Sequence, residues 1–182
     1  MNKIIFLNAL LFLVFTSCSS DDTLERIDNT SLNDLRYDMI SYNFDTPFDL
    51  NGDGIFSTDV FKEGNPCGFY PLFISEEGKV VHPHTYIFSL NVETDTNGEK
   101  KQTQDCGIAE ALPLIYEIQG NSFVLKNALN DQIVYKGTIS NDKKTITLTF
   151  PDAGFFKNNI LKPDGTYEEY TGSTVAVYNL VE

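Results

Sequence analysis

The sequence predicts an all-β domain, and three observations carry that prediction. Apolar residues recur with period two from about residue 68 onward, turn-forming clusters separate these runs, and no stretch after residue 43 reads as an amphipathic helix. Tyr86, Phe88, Leu90 and Val92 alternate with Thr85, Ile87, Ser89 and Asn91. Phe123 and Leu125 alternate with Val124 and Lys126. Ile133, Tyr135 and Ile139 share a face with Gly137, opposite Lys136, Thr138 and Ser140. Ile146, Leu148 and Phe150 alternate with Thr145, Thr147 and Thr149, the cleanest strand in the chain.

The turns follow the same logic. Asn141-Asp142-Lys143 makes residues 132–150 a hairpin, and Gln119-Gly120-Asn121 joins 113–118 to 122–126. Lys162-Pro163-Asp164-Gly165 forms a further turn. Beyond it, Tyr167–Thr171 is expected to pair with Val175–Val181 across Gly172-Ser173. About eight strands fit an antiparallel meander barrel or a β-sandwich. Consecutive short hairpins favour the meander.

The run from Pro113 to Asn127, the hairpin through Phe150 and the Tyr-containing stretch from Tyr167 onward resemble the C-terminal half of bacterial lipocalin-like domains. The resemblance covers residues 113–181 and implies a barrel with an interior able to hold a small ligand. The opening Gly-x-Trp strand of that family has no counterpart, because the chain has no Trp.

The 182 residues suit one domain, and a 41% hydrophobic fraction is enough for a core. Thirteen Lys+Arg against 26 Asp+Glu give a net charge of −13. That balance excludes a generic nucleic-acid reader, which needs clustered cations against phosphate. It also argues against holding anionic lipid through a basic patch.

The opening residues read as an address. Lys3 precedes an apolar run, Ile4–Phe15, of 12 residues. A membrane span needs about 20, so residues 1–17 read as a cleaved signal peptide. Phe15-Thr16-Ser17-Cys18 resembles the lipobox of bacterial lipoproteins, which implies acylation of Cys18. The following Ser19-Ser20-Asp21-Asp22 resembles a surface-export signal of Gram-negative lipoproteins, which implies an outer-membrane protein anchored in the lipid bilayer and facing the exterior. Residues 18–42 read as the lipidated Cys and a polar tether, with a helical turn near Ser31–Tyr37 capped by Ser31 and carrying Asp34 in its first turn. Residues 43–182 then form the all-β domain. With Cys18 consumed by lipid, Cys67 and Cys106 remain to pair in an oxidising compartment.

One loop carries chemistry. Asp49, Asn51 and Asp53 place oxygen side chains at positions one, three and five, and Gly54 occupies the sixth, where the backbone turns sharply. Ile55 would offer its carbonyl at position seven and Ser57 its hydroxyl. Calcium takes six to eight oxygens, and this spacing converges them on one point. Position twelve is Val60, so Asp59, one place early, would close the site, with Glu63 in reserve. The loop resembles the isolated Asp-x-Asn-x-Asp-Gly loops of secreted bacterial proteins. The ion would be structural, offsetting repulsion among clustered carboxylates, with a Kd of about 10⁻⁴–10⁻³ M as in extracellular modules.

Other features are weaker. His82-Pro83-His84 offers two imidazoles but no third ligand. Gly172-Ser173 lacks the Gly-x-Ser-x-Gly form of a nucleophile elbow. No spacing singles out a carboxylate pair for glycoside hydrolysis. Phe155, Phe156, Tyr167, Tyr170 and Tyr178 would stack sugars, line an apolar cavity or simply fill a core. The expectation is therefore a non-enzymatic, surface-anchored, lipocalin-like barrel that binds a small apolar ligand or a partner and is stabilised by calcium. The alternative is a calcium-dependent carbohydrate-binding β-sandwich in glycan capture.

Overall fold

The computed structural model describes residues 31–64, 71–81, 85–109, 112–151 and 158–182. Among them run thirteen strands: β1 Arg36–Phe48, β2 Ser57–Asp59, β3 Leu72–Ile74, β4 Lys79–Val81, β5 Thr85–Thr94, β6 Lys100–Ala109, β7 Leu114–Gln119, β8 Ser122–Asn127, β9 Ile133–Ile139, β10 Thr145–Phe150, β11 Asn158–Leu161, β12 Tyr167–Tyr170 and β13 Thr174–Leu180. No helix occurs among the described residues.

Eight strands close a barrel in the order β1-β3-β4-β7-β8-β9-β10-β13, and β13 pairs back onto β1. Every pairing is antiparallel. The neighbour order is a meander, compatible with a lipocalin-like barrel, and the two-sheet sandwich alternative is set aside. Closure removes the exposed edges that an open sheet would present.

The inward faces follow the period-two reading. Ile139, Ile146, Leu148, Ala176 and Tyr178 are buried against Phe123, Leu125, Leu114, Val80, Leu72, Ile74 and Tyr37. Ile133 departs from its expected face and is 51% exposed, at the very start of β9. The hairpins β7–β8 and β9–β10 turn where the sequence places them.

Three sequence expectations require correction. The polar tether does not reach residue 42, because β1 begins at Arg36 and closes the barrel. Period two fails in β1 because the register slips between Met39 and Ser41. Tyr37, Met39 and Tyr42 pair with Leu180, Tyr178 and Ala176, while Ile40 is 47% exposed at the bulge.

The helical turn expected near Ser31–Tyr37 is a single tight turn, with Leu35 N–H bonded to Leu32 O. Asp34 there has φ 61°, which no continuing helix permits. Tertiary contacts hold this conformation. Asp34 N–H donates to Ile74 O, and Ile74 N–H donates to Leu35 O.

The third correction concerns Tyr167–Thr171, which does not pair with the final strand. β12 pairs with β11, and β13 joins β10 and β1. The Tyr170 hydroxyl donates to Ser173 O at 2.6 Å and accepts from Asp45 N–H at 3.2 Å, which ties this corner to β1.

The barrel has two distinct ends. At one, the Leu32 turn packs beside the β3–β4, β7–β8 and β9–β10 turns, and Leu32 is fully buried. The other end bears additions: β1 runs on to pair with β2, and the hairpins β5–β6 and β11–β12 stand outside the barrel sheet. These additions share a second core of Phe44, Phe48, Val60, Leu90, Ile160 and Tyr170. Phe44 meets Phe48 edge-on at 5.4 Å and Tyr170 at 5.0 Å.

Candidate functional site

The acidic loop runs from the end of β1 to β2. Its turn is built by its own side chains. The Asp49 carboxylate accepts from Gly52 N–H at 2.7 Å and Gly54 N–H at 2.9 Å. Asn51 Oδ1 accepts from Asp53 N–H at 2.9 Å, and Asp53 Oδ1 from Ile55 N–H at 2.7 Å. Gly54, at φ 83°, sits where the loop reading requires a residue without Cβ. The Asn51 and Asp53 bonds are Asx turns, in which a short side chain mimics a backbone carbonyl, and the Asp49 carboxylate draws the chain back over three and five residues.

The closing residues behave differently. The Asp59 carboxylate turns under β1, accepting from Tyr42 N–H at 3.2 Å, Phe61 N–H at 3.1 Å and the Ser41 hydroxyl at 3.2 Å. Ser57 Oγ accepts from Asp59 N–H at 3.0 Å. Glu63, only 3% exposed, accepts from Leu50 N–H at 3.0 Å. Ile55 projects outward and is 69% exposed. Asp49, Asn51 and Asp53 are thus brought together, whereas Asp59 and Glu63 brace the base of the loop. Among the described residues no group of three or more His, Cys, Asp or Glu is placed to hold a metal ion. Were a cation held here, the oxygens left to it would be those of Asp49, Asn51 and Asp53 with the Ile55 carbonyl, because an oxygen accepting one N–H keeps a further lone pair.

Cys106, on β6, is disulfide-bonded. Its expected partner Cys67 lies outside the described residues, as do Cys18, His82, His84, Phe155 and Phe156.

A second group was not singled out by any motif. Tyr42, Tyr135, Phe150 and Thr174 converge toward the barrel end that bears the additions, with the fully buried Tyr178 beneath them. The Tyr42 and Thr174 hydroxyls are hydrogen-bonded at 2.9 Å, and Phe150 meets Tyr135 edge-on at 4.7 Å. Burial pushes the Tyr42 hydroxyl up to about 12, the Thr174 bond partly opposing it. Burial also raises Tyr178, with Tyr42 and Tyr135 as electrostatic neighbours. The three phenols therefore remain neutral donors at ordinary pH. Only alternate positions on four strands supply the group, so no local spacing could reveal it.

No family model matches the chain, and no curated protein or solved structure matches it significantly. The geometry by itself defines the class: a closed, eight-stranded antiparallel meander barrel with an added flank.

Proposed function

We propose that this chain is a non-enzymatic binding module, acylated at Cys18 and held on the outer face of a bacterial outer membrane, whose barrel takes a small apolar ligand or a partner. The asymmetry of the barrel supports this reading most. One end is plugged by Leu32, while toward the other lie the half-buried rings of Tyr42, Tyr135 and Phe150, two of them bearing hydroxyls. Such a surface offers apolar contact with a few oriented donors, the composition of small-molecule sites. On this reading the tether leaves the plugged end, so the aromatic end faces away from the membrane. Calcium on Asp49, Asn51, Asp53 and the Ile55 carbonyl would stiffen the flank, and a Cys67–Cys106 bridge would pin it.

Titration of the full chain carrying Cys18→Ser with a fluorescent fatty acid tests the ligand reading, since that change removes a competing acyl chain. Saturable binding weakened about tenfold by Tyr135→Ala supports it, a loss comparable to deleting one aromatic contact. Absence of saturable binding would remove the small apolar ligand and leave a partner protein. Radiolabelled palmitate incorporation, lost in Cys18→Ser, tests the anchor separately.

A further inference from the structure

A cleft of about 590 Å³ separates the acidic loop from the hairpins β5–β6 and β11–β12. Its volume lies in the range of small-ligand sites. One wall carries oxygens from Asp49 and Asn51, the other the chain at Lys100, Lys101 and Lys162, and Phe56 borders it at 37% exposure. Two basic side chains, Lys100 and Lys162, thus border one cleft in a chain of net charge −13, while strand alternation turns Lys101 to the opposite face of β6.

The basic wall is held firmly. Gln102 is buried and ties β6 to β11, donating from Nε2 to Asn159 O at 2.9 Å and accepting from Leu161 N–H at 2.7 Å. Two residues along the same face, Lys100 donates to Gly165 O at 3.1 Å and lies 5.1 Å from the centre of the Tyr167 ring. A carbonyl and an aromatic face orient this ammonium without neutralising it, since neither bears a formal negative charge. Lys162 pairs with Glu168 at 2.5 Å where both are partly exposed, an arrangement that a ligand anion can share at small cost.

The geometry points to a binding site for an acidic saccharide, a sugar bearing a carboxylate. Its carboxylate would meet Lys100 and Lys162, its C–H face would lie on Phe56, and its hydroxyls would donate to Asp49 and Asn51. A purely anionic ligand would set like charge against the Asp49 carboxylate, whereas sugar hydroxyls can donate to lone pairs that the loop's own N–H groups leave free, and a neutral sugar would leave Lys100 without a counter-charge. This inference stands apart from the barrel-end reading, because the cleft lies on the flank and shares none of the tyrosines.

Calorimetric titration of the full chain carrying Cys18→Ser with trigalacturonate, beside the neutral sugar maltotriose, tests it. Saturable binding of the uronate only, weakened about tenfold in the double variant Lys100→Gln/Lys162→Gln, is expected from the loss of two exposed ion pairs. The lysine control Lys79→Gln, at the opposite end, should leave binding unchanged, and a thermal melt of each variant checks that it folds. Raising salt should weaken binding, since the pairs are screened. Repeating the titration with chelator separates a lysine site from one bridged by calcium: unchanged affinity supports direct binding. No uronate binding, equal binding of both sugars, equal loss in Lys79→Gln, or complete loss in chelator would each overturn the proposal.

Discussion

Gly137 on β9 presses its backbone against Thr147 on β10 so closely that an added Cβ would stand 1.8 Å from the Thr147 carbonyl oxygen. Its register partners are Leu148 on one side and Phe123 on the other, both buried. The sheet bends tightly here, and only a residue without a side chain admits that approach. Gly137→Ala is therefore expected to destabilise the barrel by about 3 kcal/mol, the upper part of the overpacking range. A denaturant midpoint unchanged from the parent would show that the bend relaxes freely.

Leu32 supplies a second prediction. It is fully buried, its N–H donates to the Tyr116 hydroxyl at 3.1 Å, and Tyr116 in turn donates to Asn33 Oδ1 at 3.2 Å. Leu32→Ala should cost about 2–5 kcal/mol, as truncation of a buried leucine does. Urea unfolding measures it, and a cost below about 0.5 kcal/mol, the level of ordinary surface changes, would return this segment to the tether.

Alkaline pH should unfold the barrel. Burial raises the Tyr37 hydroxyl to about 12 and Tyr42 likewise, from an ordinary value of 10.0, and raises Tyr178 too. The folded state thus holds protons that the unfolded chain releases. Stability from these groups is complete below pH 10 and is lost as pH climbs through 12. The chain has nine Tyr and no Trp, so phenolate absorbance near 295 nm reads the titration cleanly. Loss of β-sheet circular dichroism should accompany ionisation of the last phenols. Titration of all nine near pH 10 with the fold intact would contradict this.

Calcium gives the fourth test. With a Kd of about 1 mM, 10 mM calcium should stabilise the folded chain by about 1.4 kcal/mol. Thermal melts with calcium and with excess chelator measure this, and the increment should vanish in Asp53→Ala. Equal melting temperatures in both media would leave Asp49–Asp59 a turn held by its own Asx bonds.

Much of the barrel was legible along the chain because antiparallel strands with one buried face write their burial as alternation. Ile146, Leu148 and Phe150 announce their face without reference to any other segment. β1 was not legible before residue 43, since the bulge at Ile40 breaks the period and the segment makes sense only beside Tyr178 and Ala176. β12 was misassigned because a short strand between turns has two possible neighbours, and the Tyr170 contacts to Asp45 and Ser173 decide between them.

The acidic loop shows the same division. Asp49, Asn51, Asp53 and Gly54 lie within six residues, so their joint turn follows from spacing alone. Where Asp59 and Glu63 point depends on β1 passing overhead, and both are drawn to backbone N–H groups there. The sequence by itself determined the all-β class, the two central hairpins and the loop, because each rests on interactions between near neighbours in the chain. Only the tertiary structure decided how β13 closes the barrel onto β1 and which lysines border the loop, because those contacts join residues more than forty positions apart whose approach no local pattern encodes.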